Sequence, residues 1–293
     1  MKNITTTRFS EKQTEIRQKR EQAIEQYPAL WAKMTFAWNR PGLTDTVWMM
    51  YAANYLFRTG NVRWAIDPFT LNWRLPDAPK VDIRRDLSGL SFVLLTHSHK
   101  DHLDLNLIYA LRDLPIQWVI PEFLIPVVLQ RVDLPKERVI VPQPLLPLEL
   151  GGLRITPFEG QHLVHNPDGS INGVPAMGYL VETSHKRWLF PGDTRVYDAA
   201  RLPLFGPVDT LFAHLWLGRR AALLDPPQYM EAFCKFCADL QPGRVILTHI
   251  EELGRAADDY WDGAHVAKIV SHFQKEYAEI LIQPMRMGEQ VAL

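Results

Sequence analysis

Apolar and polar positions change register several times along this chain, and each change predicts an element. From Ser10 to Gln26 the chain is dense in charge and in good helix formers, with Ser10 placed as an N-cap, so a helix is expected there. Pro28 is placed to begin a second short helix through Trp31 and Met34 that stops before Pro41 and Gly42. Residues 1–42 thus read as a helical extension packed on a main domain of residues 43–293. A contact between copies of the chain is the alternative use of its charged face. Thr46 to Arg58 reads as a strand, Gly60-Asn61 as a turn, and Val62 to Asp67 as the partner strand.

Short apolar runs predict further strands at 92–96, 118–120, 139–141, 154–157, 178–182, 188–190, 210–213, 245–248 and 280–283. Helices are expected around Asp104–Arg112, Glu122–Arg131, Pro226–Leu240 and Ala264–Tyr277. The third would have Asp225 as its N-cap and Pro226 and Pro227 in its first turn, burying Tyr229, Phe233, Phe236 and Leu240 on one face. Alternation of strands and helices predicts an α/β domain. The run from Phe92 to His97 echoes the run from Arg244 to His249: both are apolar and both deliver a histidine at the carboxyl end. That echo fits a fold of two similar halves.

Composition narrows the class without changing this picture. The chain has 293 residues, 47% hydrophobic and 22% charged, enough apolar content for a large packed core. A formal net charge of -1 gives no broad field to attract nucleic acid or an anionic membrane. The polar start resembles no secretory signal, and no apolar run approaches a membrane span. The cytoplasm is the expected compartment, with no nucleic-acid or membrane partner. Cys234 and Cys237, the only cysteines, fall within a predicted amphipathic helix and read as core packing rather than a cysteine-zinc site.

The candidate chemistry is concentrated between Thr96 and Asp104, where His97, His99, Asp101 and His102 form a His-x-His-x-Asp-His motif. A turn after a buried strand would crowd three imidazoles and a carboxylate into one small volume. Neutral imidazole and carboxylate suit borderline divalent metals such as zinc. Without a cation, so many polar groups at a strand end would be costly to bury.

With this motif the chain resembles the metallo-β-lactamase superfamily, and the likeness continues downstream. A lone histidine after a strand (His162), a Gly-Asp-Thr turn (Gly192, Asp193, Thr194) and a histidine ending a late strand (His249) follow in the superfamily's order. The resemblance covers roughly Thr46 to the carboxyl terminus. It implies a four-layer αββα fold, here with the helical extension in front, and two divalent metal ions, zinc first with manganese or iron as alternatives. Carried over position by position, His97, His99 and His162 would hold one metal and Asp101, His102 and His249 the other, with Asp193 bridging. Hydrolysis by a hydroxide shared between the metals is the implied activity, with Asp101 and Asp193 as catalytic carboxylates. A redox enzyme holding iron in the same ligands and a non-catalytic binding module are the alternatives. The nearest branch is the ascorbate-6-phosphate lactonase-like one, on the aromatic segment Tyr27–Trp31 and the Leu105-Asn106 helix start. A small-molecule substrate, a lactone or phosphodiester, follows.

His165 competes with His162, and the family pattern favours His162. Arg195 lies two residues beyond Asp193, and Arg219 follows the predicted strand ending near His214. These arginines are candidate contacts for an anionic substrate, with pairing to Asp198 and Asp225 as the bland alternative. His214 is a further candidate substrate contact in the cleft, whose alternative is a satisfied structural histidine. His185, His265 and His272 are given no function.

Overall fold

Strand residues alternate between two apolar environments, and that alternation builds the molecule. The computed structural model describes residues 2–166 and 168–293, with side chains described from residue 7 onward. Two seven-stranded sheets face each other. In the strand Phe92–Leu94, Phe92 and Leu94 point between the sheets while Val93 points to the outer helices. The strand Val208–His214 does the same, with Phe212 inward and Leu211 and Ala213 outward. Strands apolar on both faces are what a sheet buried on both sides requires. The inter-sheet layer is aromatic: the Phe57 and Trp64 rings stack at 3.9 Å and those of Phe190 and Phe212 at 4.4 Å. Helices close the outer faces, giving the four-layer αββα architecture.

The first sheet runs antiparallel from the carboxyl-terminal strand Gln290–Ala292 through Thr46–Met49, Tyr55–Thr59 and Val62–Ile66. It continues parallel through Phe92–Leu94, Gln117–Val119 and Val139–Ile140. The second sheet repeats the scheme. Leu148–Leu150, Leu153–Glu159, Met177–Glu182 and Arg187–Phe190 are antiparallel, then Val208–His214, Pro242–Thr248 and Leu281–Pro284 add in parallel. By position in its sheet, the counterpart of the His97 strand is Val208–His214, one strand away from the His249 strand that echoes it in sequence.

Several predicted boundaries move. The amino-terminal segment is one helix, Lys2–Asn39, with Pro28 inside it rather than starting a second. An interior proline costs about 3 kcal/mol. Burial of Tyr27, Trp31, Met34 and Trp38 offsets this, at roughly 1.5–3 kcal/mol for each large apolar side chain. The Trp31 and Trp38 indoles also donate to Asp86 (2.8 Å) and to the Phe57 carbonyl (2.9 Å). Thr46 to Arg58 is not one strand but a hairpin, Thr46–Met49 against Tyr55–Thr59, because buried Asn54 ties the intervening turn to the backbone carbonyls of Asp67 and Asp101. The helix expected from Pro226 begins at Met230, with Tyr229 rather than Asp225 at its N-cap, so neither proline lies in its first turn. Glu122–Leu124 is a single 3-10 turn leading into the helix Ile125–Leu129. Among the described residues no helix is long and apolar enough to cross a membrane.

Candidate metal centre

Carboxyl ends of strands from both sheets meet at one rim, where an α/β fold gathers its polar groups. Val62–Ile66 ends at Asp67, and Phe92–Leu94 runs out into the motif that begins at His97. Leu153–Glu159 leads to His162, and Arg187–Phe190 to Asp193. Val208–His214 ends in His214, and Pro242–Thr248 leads to His249. Gly192 holds φ +71°, a left-handed turn that suits glycine and aims the Asp193 carboxylate into the cluster. Gly173 closes over His162: a Cβ there would lie 1.9 Å from the His162 carbonyl oxygen. His249 takes φ +61°, an uncommon conformation for a side chain of its size, fixed by its N–H donating to the Ala52 carbonyl at 2.6 Å.

All seven histidine and aspartate positions singled out from the sequence come together. His97, His99, His162 and Asp193 bring ligand atoms within 4.8 Å of one another, and so do Asp101, His102 and His249. The Asp193 carboxylate faces both groups, 3.7 Å from His97 Nε2, 3.3 Å from His102 Nε2 and 3.9 Å from His249 Nε2. These three Nε2 atoms are buried and have no hydrogen-bond partner. A buried nitrogen left without a partner costs free energy, and a divalent cation is the partner this chemistry fits. His165, by contrast, is exposed on a two-stranded hairpin with Ile171–Asn172.

Electrostatics divides the cluster. Burial pushes His97 well below its ordinary range and His162 down to about 3, leaving neutral imidazoles with lone pairs to donate. Burial would also depress His102 and His249, but Asp193, Asp67 and Asp101 outweigh it and raise both. In return, Asp101 and Asp193 are held well below the usual carboxylate range despite their burial. A divalent cation binding there would displace the imidazolium protons.

A second ring of residues fixes the first, and of these the sequence had singled out only His214. Buried Asp67 accepts from the Thr96 N–H (2.8 Å), from the Thr96 hydroxyl, and from His102 Nδ1 (2.8 Å). A carboxylate behind a ligating histidine sets its tautomer and orientation. The sequence signal was available, since Asp67 also sits at the carboxyl end of an apolar strand. His214 is buried, with Nδ1 2.8 Å from Asp193 and Nε2 3.0 Å from the Tyr55 hydroxyl, which lies 2.8 Å from the Thr248 hydroxyl. Burial lowers His214, consistent with a neutral ring that donates Nδ1–H to Asp193 and accepts from Tyr55. Both ring nitrogens are thus committed to Asp193 and Tyr55, so His214 orients Asp193 rather than contacting substrate as the sequence suggested. Nothing in the local sequence marked Tyr55.

The cluster floors a cleft of about 390 Å³ with a cationic rim that includes Lys100, Arg195 and Arg219. Among the described residues neither Arg195 nor Arg219 forms an ion pair: Asp225 is taken by Lys268 (2.7 Å) and Asp198 caps the turn at Ala200. The Arg195 guanidinium lies over the Trp216 ring at 4.9 Å, and its Nε is buried without a partner.

The fold is shared with proteins of different activities. The metallo-β-lactamase fold protein YhfI of Bacillus subtilis is 15% identical, with TM-score 0.58, over 85% of this chain and 99% of its own. Igni18, a metallo hydrolase of the archaeon Ignicoccus hospitalis, is 17% identical, with TM-score 0.56, over 85% and 98%. The diiron β-hydroxylase CmlA of Streptomyces venezuelae is 16% identical, with TM-score 0.57, over 87% of this chain but only 55% of CmlA, so the chain spans about half of that protein. No curated protein matches the chain by sequence. The model of the beta-lactamase superfamily domain matches residues 62–250, from the strand before Asp67 to just past His249, and the chain belongs to that family.

Proposed function

We infer that the protein is a dinuclear-metal-dependent hydrolase of a small anionic ester, a lactone or a phosphodiester. The observation that carries this reading is the convergence on Asp193 of three buried imidazole nitrogens that make no hydrogen bond, at the floor of a cleft with guanidinium groups outside any ion pair at its rim. His97, His99 and His162 would hold one metal, Asp101, His102 and His249 the other, with Asp193 between them. Such a pair supplies a water deprotonated near neutral pH and a Lewis acid for the developing oxyanion. The chain's own residues do the rest. Asp193 is held in place by the hydrogen-bonded series Tyr55–His214–Asp193, and His102 by Asp67. Arg195, stiffened by Trp216, and Arg219 bind the substrate's anionic group and orient it over the cluster.

Elemental analysis of protein prepared without chelator should give about two divalent metals per chain. Kinetics on matched anionic and neutral esters then test the substrate class. A phosphorylated lactone, the substrate type implied by the ascorbate-6-phosphate lactonase-like branch, goes first on that panel. Arg195→Ala and Arg219→Ala should each raise KM for anionic esters roughly tenfold or more, the scale of a lost charge-assisted contact. Neutral esters turned over as well as anionic ones, with both variants unchanged, would remove the anionic-substrate reading. Iron content with oxygen uptake and no ester hydrolysis would replace the hydrolase by a redox enzyme.

A further inference from the structure

We propose that Arg255 is the positioning residue for Asp101, and that the amino-terminal helix, by clamping the loop that carries Arg255, sets the geometry of the cation subsite made by Asp101, His102 and His249. This rests on the dinuclear reading above. Arg255 Nη2 lies 3.1 Å from Asp101 Oδ2, the oxygen that also sits 3.4 Å from His249 Nε2. The same guanidinium donates through Nε to buried Glu252, and Nη1 lies 3.6 Å from Asp259. Glu252 is itself 2.8 Å from Arg74 Nη2. Asp101, Arg255, Glu252 and Arg74 thus form a row of alternating charge running away from the metal cluster. Three carboxylates around one planar fork leave it little freedom to turn, a geometry that a lysine cannot reproduce.

Two effects of Arg255 on a cation at Asp101 oppose each other. Its charge repels the cation, while its hydrogen bond aims the carboxylate. Glu252 and Asp259 neutralise the guanidinium locally, so orientation is the effect that remains. Loss of a partner that orients a ligand typically costs 10–100-fold in metal affinity.

Arg255 sits in the segment between His249 and the helix Gly263–Glu276, whose only regular structure is the turn Ala257–Asp259. Left-handed backbone at His249 and Glu251 starts that segment under strain. The amino-terminal helix holds it down. Gln13 Oε1 accepts from the Ala257 N–H at 3.1 Å, and Ile16 is buried against Ala257 and Tyr260. Lys12 and Lys19 lie 5.6 and 5.7 Å from the centre of the Tyr260 ring, and Lys19 is 3.3 Å from Glu251. Arg255 lines both the catalytic cleft and a groove of about 330 Å³ bordered by Gln13, Ile16 and Arg17 of the helix. Arg255 therefore lies between Asp101 and the helix, in the segment that the helix holds.

The test is zinc titration of the full chain against a chelating indicator, with thermal unfolding of each chelated variant as the control for folding. Wild type should bind two metals. Arg255→Met should keep the first at wild-type affinity and weaken the second tenfold or more, and Arg255→Lys should recover only part of the loss. Ile16→Ala, which substitutes no cleft residue, should weaken the second metal several-fold and spare the first. Unchanged or tighter second-metal binding in Arg255→Met overturns the positioning role, and an Ile16→Ala protein identical to wild type overturns the helix's part in it. Should Arg255→Met fail to fold, the lysine and Ile16 variants carry the test, and wild-type second-metal affinity in both overturns the proposal. Wild type that takes up a single metal would remove the dinuclear reading itself, and this proposal with it.

Discussion

At the scale of residues, the site is a contest between burial and partnership. His97, His102, His162 and His249 are all buried, yet burial wins at His97 and His162 while carboxylates win at His102 and His249. Asp193 touches both groups and so couples them. The two neighbouring histidines His162 and His165 separate cleanly: His162 Nε2 is 3.1 Å from His99 Nδ1, whereas His165 points to solvent. His162→Ala should therefore lose a metal and lower turnover by at least a hundredfold, and His165→Ala should match wild type in both. Metal content and activity indistinguishable between the two variants would show that His162 is not a ligand.

At the scale of elements, helix ends do much of the fastening around the cleft. Asp104 caps the helix Leu105–Leu111 and also receives the Thr70 N–H and hydroxyl, locking the motif turn to the preceding loop. Asp262 caps Gly263–Glu276 by accepting from the Ala264 and His265 N–H groups, with His265 Nδ1 2.8 Å from the same oxygen, and Lys12 from the amino-terminal helix reaches the same carboxylate. Burial alone would raise Asp262, but the hydrogen bonds from His265 and Lys12 outweigh it and depress the folded-state value. A carboxylate depressed on folding contributes stability that is fully present above its unfolded value, near pH 4, and is lost as pH falls further. Asp262→Asn, which keeps a capping oxygen but no charge, should flatten the acid limb of stability between about pH 4 and 2. Asp262→Ala should in addition cost about 1 kcal/mol at neutral pH for the lost cap. Urea unfolding across that pH range checks both, and parallel acid limbs in wild type and Asp262→Asn would count against the assignment.

At the scale of the whole molecule, the cluster ties the two sheets together. Ligand candidates come from the first sheet (His97, His99, Asp101, His102) and from the second (His162, Asp193, His249), and backbone bonds cross between them, from Met177 N–H to the Thr96 carbonyl and from His249 N–H to that of Ala52. A cation held by both sheets binds the folded state alone, so it stabilises by mass action, about 2.7 kcal/mol at a hundredfold excess over its dissociation constant. Chelation should therefore lower Tm by several degrees, and returning zinc should restore it. A Tm indifferent to chelator would mean that the cluster does not bridge the sheets through metal.

Much of the fold was legible because its signals are local. Apolar runs marked the buried parallel strands, and the spacing of His97, His99, Asp101 and His102 needs only a turn of a few residues to converge. Order along the chain pointed to His162, Asp193 and His249 through the family's pattern. What remained hidden depends on groups far apart in sequence. Pro28 lies inside a continuous helix because the aromatic side chains beside it are buried against the first sheet, which no helix propensity records. The turn at 50–54 that splits the first strand follows from Asn54 reaching the carbonyls of Asp67 and Asp101. His214 faces Asp193 and Tyr55, 21 and 159 residues away, and Arg255 faces Asp101 across 154. The chain by itself determined which residues can ligate and which segments must be buried, since hydrophobic periodicity and short-range geometry are written locally. Only the tertiary structure decided which partners orient those candidate ligands, because an orienting hydrogen bond depends on where two distant elements pack and leaves no pattern in either segment alone.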